Sequence, residues 1–113
     1  MPSGRYTTTI TGVSTTSSNW PTYVPDTAVR PFNLGIGCVV NSTNVAYSVQ
    51  HSFDYTGSST FISTAATWFN NINITAATTN ADTNYAFPVS AIRIVSTAGS
   101  SAGTVQMTII QAG

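Results

Sequence analysis

Ionised side chains are nearly missing from this chain: they make up 5% of its 113 residues, with no lysine and no glutamate anywhere. An ordinary soluble domain carries roughly 25%. The full set is Arg5, Arg30 and Arg93 against Asp26, Asp54 and Asp82. Sequence-independent binding to nucleic acid needs several lysines or arginines acting on phosphates together, so this scattered, balanced set excludes that partner. Long apolar runs are missing too. The best, around Ile36 to Val40, falls far short of the roughly 18 residues of a membrane span, and no basic amphipathic segment suits a lipid surface, so no membrane partner is expected. A single cysteine, Cys38, allows no internal disulfide and reads as a small buried thiol inside a strand. One histidine, one cysteine and three dispersed aspartates offer no ligand spacing for zinc and no oxygen cluster for calcium, so no metal and no cofactor is expected. The first nine residues lack a basic cluster followed by an apolar stretch, which reads as a chain made and kept in a cytoplasm.

What is present is polar, uncharged and strand-prone. Hydrophobic residues reach 42% and aromatics 11%, enough for a core in one domain spanning 1–113. Threonine, serine and asparagine favour strands, turns and loops over helix interiors, and their hydroxyls and amides wet the surface in place of charges. Period-two alternation is clearest in Val45 to Tyr55, with Val45, Tyr47, Val49, His51, Phe53 and Tyr55 on one face and Ala46, Ser48, Gln50, Ser52 and Asp54 on the other, the pattern of a half-buried strand. Leu34, Ile36, Cys38 and Val40 repeat the pattern, with Gly35 and Gly37 opposite them suggesting a bulge or a close backbone approach. The turn chemistry of Asn41-Ser42-Thr43-Asn44 between the two runs predicts a hairpin. A second hairpin is predicted from Ala91 to Val95 and Val105 to Ile110, with Val105, Met107 and Ile109 facing inward. Further strands are expected over 6–13, 61–69 and 85–89, six or seven in all, with an irregular loop near 76–82 and no helix. The segment 14–33, with three prolines, reads as a long extended loop or arm. These elements predict an all-β fold, a single antiparallel β-sandwich, with a jelly roll as one form of it.

Catalytic chemistry is sparse. His51 and Asp54 fall on opposite faces of one strand, so the pair a general base would need is split, and a core-edge histidine bonded to backbone is the expectation. The evenly spaced aspartates 26, 54 and 82 share no flanking pattern and form no repeat. Gly35-Ile36-Gly37 begins like a phosphate loop, yet Val40 occupies the third glycine position and no helix follows. No catalytic residue is assigned and no enzyme is expected. The remaining features are aromatics in expected loops: Trp20, Tyr23, Phe32, Trp68 and Phe69. Trp and Tyr anchor protein interfaces and also stack on sugars, whereas Trp68 at a strand end suits a core position.

The stretches Pro31-Phe32-Asn33-Leu34-Gly35-Ile36-Gly37, Tyr47 to Asp54, Thr67-Trp68-Phe69, Tyr85 to Arg93 and the closing Gly103 to Gly113 together resemble small all-β virion proteins of tailed bacteriophages. The Pro-x-x-Ala-Ile-Arg strand followed by Gly-Thr-Val also resembles the last hairpin of phage tail and adhesin β-sandwiches. The resemblance implies a structural role on the particle, as a head decoration or cement protein made in the host cytoplasm, with itself as a dimer or trimer and a major capsid protein as partners. Low charge fits independently, because lysine and glutamate are depleted where surfaces become buried. Interface residues expected on this reading are Arg5, Tyr6, Trp20, Tyr23, Phe32 and Trp68. The competing reading is a tail- or fibre-associated module that binds host glycan through Trp20, Tyr23 and Trp68.

Overall fold

The computed structural model describes residues 4–11, 21–25, 33–41, 45–54, 67–99 and 103–111. Eight strands run in the order β1 (Gly4–Thr11), β2 (Thr22–Tyr23), β3 (Leu34–Val40), β4 (Val45–Ser52), β5 (Phe69–Asn70), β6 (Ala81–Tyr85), β7 (Ala91–Gly99) and β8 (Thr104–Gln111). They form two four-stranded sheets, β1-β8-β3-β6 and β2-β7-β4-β5, and every pairing between these strands is antiparallel. The all-β sandwich expected from the alternation is what the chain adopts, and no helix occurs among the described residues.

The core lies between the sheets. Leu34, Ile36 and Cys38 of β3 and Val105, Met107 and Ile109 of β8 meet Tyr47 and Val49 of β4 and Ile92 and Ile94 of β7, all buried. Inward positions follow the two-residue period on β3 and β8, as the sequence predicts. Neither predicted hairpin forms. β3 and β4 lie in different sheets, as do β7 and β8, so neither pair shares a ladder. Pairing is decided elsewhere: β3 lies between β8 and β6, and β4 between β7 and β5, each of which offers a matching ladder.

Other differences have local causes. β4 is buried on both faces, not one, because the stretch 71–77 runs along its edge: Asn71 N donates to Val49 O at 2.8 Å, Val49 N to Ile74 O at 3.1 Å, and Tyr47 and Ala77 exchange both backbone bonds. Ser48 Oγ accepts from Ala76 N at 2.8 Å, and Ala76 takes a φ of 51° to make the turn. Gly35 and Gly37 mark neither a bulge nor a close approach, since a β-carbon at either would meet nothing within 4 Å. The register shift falls instead at Ala46/Tyr47. The strand expected over 85–89 is β6, four residues earlier, and Pro88, which has no N–H to donate, lies beyond its end. Of the strand expected over 61–69, Phe69 lies in one, Thr67 and Trp68 do not, and 61–66 fall outside the described residues. Of the arm at 14–33, Thr22–Tyr23 is an edge strand on β7. No helix of the described residues is long and apolar enough to cross a membrane.

Candidate functional site

Exposed aromatic surface gathers at one edge of the sandwich. β4 ends at Ser52, whose Oγ accepts from Asp54 N at 3.2 Å, while Asp54 Oδ2 accepts from Thr67 N at 2.9 Å. These bonds carry Phe53 out of the sheet. Phe69 sits in β5 opposite His51, and Phe87 follows β6. The three residues are 53%, 49% and 46% exposed. Phe53 lies 5.8 Å from Phe69 and 6.1 Å from Phe87, centroid to centroid. Beneath them His51 contacts all three rings, and Tyr85 meets both His51 and Phe87 edge-on at 5.1 and 5.4 Å.

The floor of this cluster is a chain of polar side chains. His51 Nδ1 and Tyr85 Oη share a buried hydrogen bond of 2.8 Å. Tyr85 also bonds the Asn71 side chain, whose Oδ1 accepts from Asn73 N at 2.9 Å and from Thr83 Oγ1 at 3.3 Å. The histidine is thus a core-edge residue held by a tyrosine side chain, not by backbone. Burial lowers the His51 pKa, and burial pushes that of Tyr85 up to about 12, with the Asn71 bond opposing. A neutral floor follows, with no buried side-chain polar atom left unpaired among the described residues, beneath three half-exposed phenylalanines.

At about half exposure, three phenylalanines present roughly 300 Å² of ring surface, the size of the largest apolar patch on a typical monomer. Phenyl rings carry no polar handle, so the patch suits an apolar protein surface better than a sugar, whose hydroxyls need donors and acceptors beside the stacking face. Phe53 and Phe87 escape sequence reading because both extend apolar alternation past the true strand ends; Asp54 and Pro88 immediately after them are the available signal.

Four of the six expected interface residues are among those described. Arg5 is exposed on β1. Tyr6 and Tyr23 do meet, with ring centroids 5.1 Å apart, linking the edge strands β1 and β2 of the two sheets, and Tyr23 Oη donates to Gln111 Oε1 at 3.3 Å. Trp20 and Phe32 lie outside the described residues. Trp68 is half-buried outside the core, with the Arg93 guanidinium 4.2 Å from its ring centroid. Arg93 Nε donates to Gln50 Oε1 at 2.8 Å, and Gln50 Nε2 donates to Asn70 Oδ1 at 2.9 Å. No group of three metal-ligating side chains forms among the described residues.

No family model, curated protein or solved structure matches the chain. Its chemistry is therefore read from its own surface. Cys38 is buried, and desolvation pushes its thiol up to about 12, which removes it as a nucleophile in the folded state.

Proposed function

We propose that this chain is a structural protein of a bacteriophage particle, a capsid decoration or cement protein that associates with itself and docks on the head lattice. The observation that carries the reading is the exposed Phe53, Phe69 and Phe87 cluster on a domain with only six ionised side chains. Burying about 300 Å² of ring surface gains on the order of 7 kcal/mol, while association costs about 4–15 kcal/mol. One such patch holds weakly alone and firmly when many copies bind a repeating lattice or when copies are joined. Strand order supports the same reading: β1-β8-β3-β6 against β2-β7-β4-β5 is read as a jelly roll, an arrangement shared by viral capsid and lectin domains. Low charge reduces the desolvation cost of being covered by neighbours.

The test is particle stability. Particles assembled without the protein should form but rupture at lower temperature, and adding back purified protein should restore the wild-type value. Phe53→Ser with Phe87→Ser should fold and fail to restore it. Equal stability with and without the protein refutes the cement role. A glycan-binding module is the second reading, favoured by Trp68 beside the Arg93, Gln50 and Asn70 array, which joins an aromatic face to hydrogen-bonding groups. Glycan binding that is lost in Trp68→Ala and kept in the double phenylalanine variant would select it.

A further inference from the structure

The outer face of the β1-β8-β3-β6 sheet is complementary to itself. Register places Arg5, Ile110, Gly35 and Asn84 in one row across the four strands, Thr7, Thr108, Gly37 and Asp82 in the next, and Thr9, Gln106 and Val39 in a third. These positions alternate with the inward Leu34, Ile36, Cys38, Met107 and Ile109, so their side chains share the solvent face. Among the described residues, two charges lie on it. Arg5 stands on one edge strand and Asp82 on the other, both exposed and without an ion pair among the described residues. Three strand spacings and a two-residue step separate them by roughly 16 Å, too far to meet within one molecule.

From this we infer that a second copy of the chain covers this face, related by a twofold axis lying in the plane between the facing outer surfaces of the two copies. An axis in that plane, perpendicular to the line from Arg5 to Asp82 at its midpoint, sets each Arg5 over Asp82 of the second copy, giving two equivalent ion pairs at opposite rims. Between them, each Ile110, 57% exposed, lies over the strip of Gly35 and Gly37 of the other copy, where no side chain stands above the backbone and a β-carbon would have open space. The charges fix the orientation: rotating one copy by half a turn within the interface brings like charges together. A footprint of about 19 by 24 Å falls below the roughly 800 Å² per partner of a standard stable interface. The dimer is therefore reversible, with a Kd of about micromolar order or weaker.

The pairing deepens the assembly reading above and rests on it for its use on a particle, but its test needs only the purified chain. Sedimentation velocity across a concentration series should show a monomer–dimer equilibrium. Arg5→Asp alone and Asp82→Arg alone should each weaken it by about tenfold or more, because both symmetric contacts turn from attraction to repulsion. Combining the two reversals should restore the wild-type Kd to within about threefold. Gly37→Gln, which the open space tolerates, should abolish pairing while leaving the thermal midpoint unchanged. A strict monomer at millimolar concentration, a dimer indifferent to either single reversal, or a folded double reversal that fails to recover would each overturn the pairing. Docking on particles by such a monomer would leave the assembly reading standing, whereas a charge-sensitive dimer that binds no particle would overturn that reading alone.

Discussion

Lowering the pH from 7 to 5 should destabilise the fold through a single side chain. His51 is buried among Phe53, Phe69, Phe87 and Tyr85, and burial holds its pKa below the ordinary 6.5. The unfolded chain then takes up the proton first. Stability is full above about pH 6.5 and is lost as the pH falls from there through the folded-state value. One proton limits the slope to about 1.4 kcal/mol per pH unit. Composition makes the measurement clean, because the chain has one histidine, no glutamate and three aspartates, and aspartates of an unfolded chain titrate near about pH 4. Denaturant unfolding followed by tryptophan fluorescence, at half-unit steps between pH 7 and 5, should give a falling unfolding free energy that approaches but never exceeds that slope. His51→Phe, which keeps an aromatic ring in the cluster, should lower stability at pH 7 by about 1 kcal/mol for the lost hydrogen bond and flatten the profile. A flat wild-type profile, or a slope that survives in His51→Phe, refutes the argument.

Three further outcomes test the packing and the register. Met107→Ala, fully buried on β8, should cost about 2–5 kcal/mol in denaturant unfolding, whereas Ile110→Ala on the outer face should cost less than about 0.5 kcal/mol at monomer concentrations. Cys38 should resist thiol reagents in native buffer and react in step with global unfolding as denaturant is added, since the thiol is both buried and pushed up to about 12. Thr7 and Thr108 are register partners with hydroxyls 3.4 Å apart, so cysteines at both positions should oxidise to a disulfide, visible as a faster-migrating band on a non-reducing gel. The bridge would close almost the whole chain and should raise stability by up to about 4.7 kcal/mol.

The two-residue period made the inward faces of β3 and β8 legible, because side-chain alternation is a property of a single strand. Partnership between strands is not. Asn41 to Asn44 signal a reversal, and a reversal can close a hairpin or arch between sheets with the same residues. Here β3 and β4 part into different sheets because β8 offers β3 a seven-residue ladder and β7 offers β4 an eight-residue one. The full burial of β4 was equally hidden. Ser48 and Ser52 read as a solvent face, yet both are buried, Ser48 bonded to the irregular stretch that covers it. The aromatic surface lay in plain view as residues but not as a site, since Phe53 follows the end of one strand, Phe69 belongs to a two-residue strand and Phe87 to the link before β7, and only the two-sheet arrangement brings them around His51.

A protein that bridges neighbours needs two surfaces that can be occupied at once. The phenylalanine cluster is built on the ends of β4 and β6 and on β5, whereas the face carrying Arg5 and Asp82 centres on β8 and β3, and the two sets share no residue. One is apolar and indifferent to orientation; the other is polar, with charges that fix a single arrangement. Neither is strong alone, and that weakness has a consequence that can be measured. Joining two weak sites through a dimer multiplies lattice affinity only while both surfaces are intact. Arg5→Asp should therefore lower apparent affinity for particles by about a hundredfold or more at dilute protein, although Arg5 lies outside the aromatic cluster, and Asp82→Arg in the same chain should bring it back. If particle affinity follows the phenylalanines alone and ignores Arg5, the two surfaces do not act together.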